Sequence, residues 1–248
     1  CIIRNIWAQH AWDGASQNAS GIVVTPSYGN LIENCLLEWN GTNNLGFNHG
    51  LYVGGENNVF RNNVCRYNGG YGIILNGHDG NDKNNKIYNN LLYGNMADPD
   101  PAYWDQLGLY SGVSEPWTNY VFGNTIIGTG QRPVICRNET VYLSNNIIVG
   151  PAGNYQIVAQ ENSTIIADYN LTPYALTIGG SAIVGSHNVV NGTVNFVNSA
   201  TGLYWLGGAG GVALLWGLGV LLLLPQAVVA PIGLMRTGRQ KLGERSWA

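Results

Sequence analysis

The chain has 248 residues and a net charge of −3, and only 10% of its residues are charged. Nucleic-acid binding requires a basic surface, so this charge balance excludes nucleic acid as an expected partner. The 35 glycines and the abundant asparagines accept tight turns, which predicts a chain that turns often and regularly.

An apolar segment that carries asparagine recurs along the chain. It reads LIENCLLEWN (31–40), VFRNNVCRYN (59–68), KIYNNLLYGN (86–95), YVFGNTIIG (120–128) and VYLSNNIIVG (141–150). The alignment positions lie 22–34 residues apart and are Asn5, Asn34, Asn62, Asn89, Gly123, Asn145 and Asp168. Because the chain begins at Cys1 inside such a repeat, we expect it to be a fragment or a processed form.

A second apolar segment follows in each repeat and alternates in the manner of a β-strand. Its inward column is predicted to consist of branched aliphatic residues, namely Ile22, Leu51, Ile73, Leu109, Val134, Ile157 and Ile183. Neither a helical period nor the leucine scaffold of leucine-rich repeats occurs before residue 200. We therefore expect stacked parallel strands, with the recurrent Asn bonding along the stack. The four cysteines lack metal-ligand spacing and are expected to be small apolar fillers.

Two stretches, HGLYVGGENNVFRNN (49–63) and NNVFRNNVCRYNGGYGIILNG (57–77), resemble the right-handed parallel β-helix proteins of the pectate-lyase-like superfamily. The resemblance covers residues 1–199 and implies an all-β, right-handed parallel β-helix of about seven coils. That superfamily includes pectate and alginate lyases, epimerases, phage tailspikes and adhesins. The resemblance therefore implies an extracellular or cell-surface setting, a polysaccharide partner and a monomeric protein.

The composition changes at Leu203, and no charged residue lies between Leu203 and Met235. This stretch is long enough to span a bilayer, and the basic residues that follow it suit a cytoplasmic flank. Three interpretations of residues 200–248 stay open: a membrane anchor, a reading-frame change in the gene, and a buried helix of a soluble protein. In each of them, residues 203–235 are expected to lie outside the β-helix, and under the anchor interpretation they would associate the protein with a membrane.

Outward positions of the second segment predict a candidate site on one face. They bring together His49, Tyr52, Tyr71, Tyr110, Arg132 and Arg137. Loops that contain Trp39 and the segment NMADPDPAYWDQ (95–106), with Trp104 and Asp105, would border this face. Aromatic rings stack on the flat faces of sugars and arginine neutralises uronate carboxylates, so the face suits an acidic polysaccharide.

His49, Tyr52 and Tyr110 are the predicted catalytic residues, because an imidazole and neighbouring phenols can move protons. The predicted substrate-binding residues are Arg132, Arg137, Tyr71, Trp39, Trp104 and Asp105. If the protein is an enzyme, β-elimination of a uronate polymer is expected; the alternative is a non-catalytic adhesin or binding module. The loop carboxylates Asp98, Asp100 and Asp105 could bind Ca²⁺, and no zinc signature occurs.

The segment GHDGNDK (77–83) resembles the Asp-Pro-His motif of alginate epimerases, but it lacks the proline and places the histidine later. We interpret His78, Asp79 and Asp82 as residues of a turn.

Overall fold

The computed structural model describes residues 1–11, 19–41, 48–77, 82–96, 106–112, 116–128, 132–152, 155–174, 178–190, 194, 196–197 and 205–206. Within these ranges the chain is all-β. It forms three parallel sheets, named A, B and C here, and one short antiparallel pair. Successive strands visit sheets A, B and C in turn, an arrangement consistent with a parallel β-helix.

The strand bounds are given in spatial order. Sheet A contains β1 (Ile2–Arg4), β4 (Leu31–Glu33), β7 (Val59–Arg61), β10 (Lys86–Tyr88), β13 (Trp117–Phe122), β16 (Glu139–Ser144), β19 (Thr164–Asp168) and β21 (Ser181–Val184). Sheet B contains β2 (Trp7–Gln9), β5 (Leu36–Glu38), β8 (Val64–Arg66), β11 (Leu91–Tyr93), β14 (Thr125–Ile127) and β17 (Ile147–Val149). Sheet C contains β3 (Ile22–Tyr28), β6 (Leu51–Glu56), β9 (Ile73–Asn76), β12 (Leu107–Tyr110), β15 (Val134–Arg137), β18 (Ile157–Gln160) and β20 (Ile178–Gly179). The antiparallel pair joins β22 (Phe196–Val197) and β23 (Trp205–Leu206).

Alternate residues of each strand point into a continuous apolar core. In sheet C, the aligned inward residues are Ile22, Leu51, Ile73, Leu107, Val134 and Ile157. This confirms most of the predicted column. Free thiols also lie in the core at Cys35, Cys65 and Cys136, as expected for small apolar fillers, but the expectation was wrong for Cys1, which is exposed.

Two members of the predicted column were wrong. Leu109 is buried, but it aligns with Leu75 and lies two residues beyond the column, whose member in β12 is Leu107. Ile183 belongs to sheet A, where it pairs with Ile166, and it is 61% exposed. The predicted alignment of β12 with its neighbouring strands is therefore wrong by two residues, and so is every outward position predicted in β12.

The corner between sheets A and B is a tight turn whose first residue has a positive φ. These residues are Asn5, Asn34, Asn62, Asn89, Gly123, Asn145 and Tyr169. Six of the seven alignment positions are therefore turn residues, and in the last case the turn residue is Tyr169 and not Asp168. Asparagine and glycine adopt this left-handed conformation at lower cost than other residues, which explains why they recur here.

Ladders of amide side chains run along the corners, and most of their members directly follow a left-handed turn residue. After sheet A, the ladder consists of Asn63, Asn90, Asn124, Asn146, Asn170 and Asn188, joined by Nδ2–Oδ1 hydrogen bonds of 3.0 Å. After sheet B it consists of Asn40, Asn68, Asn95 and Gln106. Before sheet A it consists of Asn30, Asn58, Asn85 and Asn119. Bonding along the stack is thus confirmed, but one residue beyond the predicted positions.

The interpretations of residues 200–248 stay predictions, because residues 198–204 and 207–248 lie outside the described part of the chain. The number of coils and the boundary at residue 199 also stay predictions. Across the ranges described, no helix is both long enough and apolar enough to cross a membrane.

Candidate functional site

The outer face of sheet C carries most of the predicted site residues. His49 lies just before β6 and Tyr71 just before β9, while Tyr110 and Arg137 end β12 and β15. An apolar cluster of Tyr71, Ile74, Met96 and Ile135 covers the middle of this face, with Tyr52 and Tyr110 packed against it. The face is therefore partly closed and not uniformly exposed.

His49 is buried, which corrects the expectation that it is exposed. Only 2% of its surface is accessible, and its ring lies between Tyr52 and Tyr71, with centroids 5.7 and 5.5 Å away. A Cβ at Gly70 would lie 2.5 Å from His49 Nδ1, so the glycine gives the ring its space.

The backbone N–H of Tyr71 donates to His49 Nδ1 over 2.9 Å, so the neutral ring carries its proton on Nε2. Burial lowers the pKa of His49 to about 3, because the charged imidazolium is costly away from water. A ring with this pKa is a weak base at neutral pH, and its Nδ1 lone pair is already occupied. The geometry favours a role for His49 in fixing the backbone at Tyr71.

Two phenols and an arginine meet at the edge of the same face. The hydroxyl oxygens of Tyr71 and Tyr110 lie 2.6 Å apart, and the guanidinium carbon of Arg137 lies 5.5 Å from the centroid of the Tyr110 ring. Gly108 makes this possible, because a Cβ there would lie 2.9 Å from Tyr110 Cε2. The arrangement can share a proton between the phenols beside a positive charge.

The two-residue shift in β12 changes which residues are neighbours. Tyr110 aligns with Asn76 and Arg137, whereas Tyr52 aligns with Ile74. Tyr110 is therefore not in the column of Tyr52, and its basic neighbour is Arg137. Arg137 also forms an exposed ion pair with Glu161 over 3.0 Å and donates to the side chain of Gln160.

Of the other predicted residues, Arg132 lies in line with sheet C, Trp39 follows a strand of sheet B, and two lie outside the described residues. Arg132 is half-buried and lies two residues before β15, in the column of His49 and Tyr71 by strand register. Trp39 is 49% exposed, but it follows β5 of sheet B and stacks on Tyr67, so it does not border the face of sheet C. Trp104 and Asp105 lie outside the described residues, as do Asp98 and Asp100. Among the described residues, no group of three metal-ligating side chains occurs.

A buried pair of carboxyl groups lies between sheets C and A, and the sequence did not reveal it. Asp82, interpreted as a turn residue, is fully buried and accepts a hydrogen bond from the backbone N–H of Gly55 over 2.7 Å. Glu139 is also fully buried and accepts from Asn119 Nδ2, which donates to the Asp82 carbonyl as well. Burial raises the pKa of Asp82 to about 7 and that of Glu139 to about 9.

A second feature that the sequence did not reveal is the pair of Asp168 and His187 at the far end of sheet A. The Nδ1 atom of His187 lies 3.0 Å from Asp168 Oδ2, and the imidazole stacks on Tyr169 with centroids 4.4 Å apart. The hydrogen bond with His187 holds the pKa of Asp168 below its ordinary value. Only stacking of the last coils brings the two residues together, since 19 positions separate them in sequence.

No family model, curated protein or solved structure matches the chain. A functional assignment therefore depends on the site geometry and on the resemblance in the repeats.

Proposed function

We propose that the protein binds an acidic polysaccharide at the cell surface or outside the cell, along the outer face of sheet C, as a right-handed parallel β-helix protein of the pectate-lyase-like class. The observation that carries the proposal is one column of polar and aromatic residues, Asn76, Tyr110, Arg137 and Gln160, on four successive strands. Adjacent strands are about 4.8 Å apart, close to the length of one pyranose unit, so successive sugars can meet successive residues.

The charge of this column favours a uronate chain. Arg137 is exposed, and its partner Glu161 is exposed too. Because exposed ion pairs contribute only about 0–1 kcal/mol, a sugar carboxylate can replace Glu161 at little cost. The half-buried ring of Tyr110 offers apolar surface to the sugar, while the amide of Gln160 lies beside it on the next strand but one.

Catalysis is the second candidate, and the contact between the two phenols favours it. In β-elimination, a base removes the C5 proton of the uronate while an acid protonates the departing O4 oxygen. One of the two hydrogen-bonded hydroxyls of Tyr71 and Tyr110, in its ionised form, could take the C5 proton, while the other, still protonated, could give its proton to O4. Proton transfer across the hydrogen bond would restore the starting pair, with Arg137 neutralising the carboxylate. Its burial and its pKa of about 3 make His49 a poor candidate for the base. Without turnover, the same face describes an adhesin or a binding module.

Replacing Arg137 by Gln is expected to weaken binding of polygalacturonate about tenfold, because one charge-assisted hydrogen bond is lost. The loss should shrink at high salt, since the interaction is electrostatic. Isothermal titration with the polymer at two salt concentrations measures both effects. Arg61→Gln is the matched control, because Arg61 lies on sheet A and pairs with Glu33.

Tyr110→Phe decides between the two candidates when its binding is measured by the same titration and its turnover by ultraviolet absorbance. A lyase would lose the ultraviolet absorbance of newly formed double bonds in this variant while binding stays within about twofold of the wild type. An adhesin would show no absorbance in either protein. If the wild type binds no acidic polysaccharide, the proposal is wrong.

A further inference from the structure

The outer face of sheet A has a groove, and none of the residues that line it belongs to the face of sheet C. It is lined by Asn57, Val59, Asn84, Lys86 and Tyr120. Val59, Lys86 and Tyr120 are direct partners on the adjacent strands β7, β10 and β13, so they form one column along the stack. Asn57 and Asn84 are the left-handed turn residues that begin the passage into β7 and β10.

Lys86 supplies a positive charge that this surface does not neutralise. It is exposed, and within the described part of the chain it forms no ion pair. Its neighbours differ: Lys83 pairs with Glu56 over 3.2 Å and lies over the Trp117 ring, while Arg61 pairs with Glu33. Direct partners of Lys86 along the column, Val59 and Tyr120, carry no charge. The groove therefore attracts an anion.

The ring of Tyr120 and the side-chain amides of Asn57 and Asn84 form the rest of the groove. The Tyr120 ring stacks on Tyr142 of the next strand, with centroids 5.5 Å apart and an angle of 16° between the planes. This contact fixes the orientation of the Tyr120 ring at the end of the groove. The side chains of Asn57 and Asn84 make no hydrogen bond to other described residues, so their donors and acceptors are available to a ligand.

We propose that this groove is a second binding site that holds one unit of an acidic sugar, separate from the face of sheet C. The sugar carboxylate pairs with Lys86, the ring lies against Val59 and the Tyr120 ring, and the hydroxyl groups bond to the amides of Asn57 and Asn84. The inference takes its ligand class from the proposed function but uses none of its residues. Two sites on different faces would let one molecule hold two polysaccharide chains.

The test uses trigalacturonate as the probe, titrated calorimetrically into the wild type, Lys86→Gln, Arg137→Gln and the double variant. We expect the wild type to bind two equivalents, and in each single variant the affinity of the affected site should fall about tenfold while the other site keeps its affinity. Lys83→Gln is the matched control, because that amine is already paired with Glu56, and it should change affinity less than about twofold. Maltotriose, which has no carboxylate, should not bind at the sheet A site.

The outcomes separate the two proposals. If Arg137→Gln has no effect and Lys86→Gln abolishes binding, the site on sheet C is wrong and the one on sheet A stands. If Lys86→Gln binds as the wild type does, also in the Arg137→Gln background, the sheet A site is overturned. Unchanged far-ultraviolet circular dichroism shows that both surface variants are folded. A wild type that binds no trigalacturonate overturns both proposals.

Discussion

Replacing Asn90 by Ala is expected to lower the free energy of unfolding by about 4 kcal/mol, because several buried polar groups lose their partners at once. Asn90 Oδ1 accepts from both the backbone N–H and the side-chain amide of Asn63. Its Nδ2 donates to the carbonyl of Phe60 and to Asn124 Oδ1. No water can reach these groups inside the corner, since Asn63, Asn90 and Asn124 are almost completely buried.

Asn89 provides the matched control because it is the adjacent residue of the same corner. It is exposed and has a φ of 54°, a conformation that glycine adopts freely. Asn89→Gly should therefore change the free energy of unfolding by less than about 0.5 kcal/mol. Urea-induced unfolding of both variants measures the difference. A cost below about 1 kcal/mol for Asn90→Ala would mean that the ladder adds little to stability.

The parallel stack could be predicted from the sequence, because inward apolar residues and corner asparagines recur in every repeat. The ladder was assigned one residue too early. Pairs such as Asn62–Asn63 and Asn89–Asn90 do not tell which of the two adopts the left-handed turn. Gly123–Asn124 does, since glycine is the natural turn residue and leaves Asn124 for the ladder.

The register of β12 could not be predicted from alternation alone. Leu107 and Leu109 are two residues apart and both point inward, so either can align with Ile73 without exposing an apolar side chain. The two alignments are distinguished by Gly108, which lies against the rings of Tyr71 and Tyr110. That contact joins different coils and is not visible in a linear pattern.

The burial of His49 could not be predicted from the sequence, for a related reason. Alternation correctly predicts that it does not point into the core, but Tyr52 and Tyr71 cover its ring from the outside. Exposure of an outward residue depends on the size and orientation of side chains in neighbouring coils. The same limitation applies to Asp82, which was interpreted only as a turn residue of GHDGNDK and whose complete burial no linear pattern indicates.

Asp82 and Glu139 predict a stability that falls as the pH rises. Both carboxyl groups have raised pKa values in the folded chain, about 7 and about 9, so the folded state keeps protons that the unfolded state has already released. Their contribution is most favourable below about pH 4, where both states are protonated. It decreases by about 1.4 kcal/mol per pH unit for each group, up to about pH 7 for Asp82 and pH 9 for Glu139.

Glu139→Gln should remove most of this decrease at alkaline pH. Glutamine stays neutral, has nearly the same shape, and its oxygen can still accept from Asn119 Nδ2. At pH 8 we expect the variant to be more stable than the wild type by about 2–5 kcal/mol, whereas near pH 4 the two should unfold alike. Asp82→Asn should act in the lower window, between about pH 4 and pH 7.

Glu161→Gln is the matched control for the carboxyl pair, because Glu161 is exposed and pairs on the surface with Arg137 and Asn138. It should alter the free energy of unfolding by less than about 1 kcal/mol, because an exposed ion pair contributes little. Chemical denaturation at pH 4, 6 and 8 measures all three variants. If the curves of Glu139→Gln and the wild type stay parallel across this range, the Glu139 carboxyl is ionised in the folded chain. The Asn119 amide would then be stabilising a buried charge and not a neutral acid.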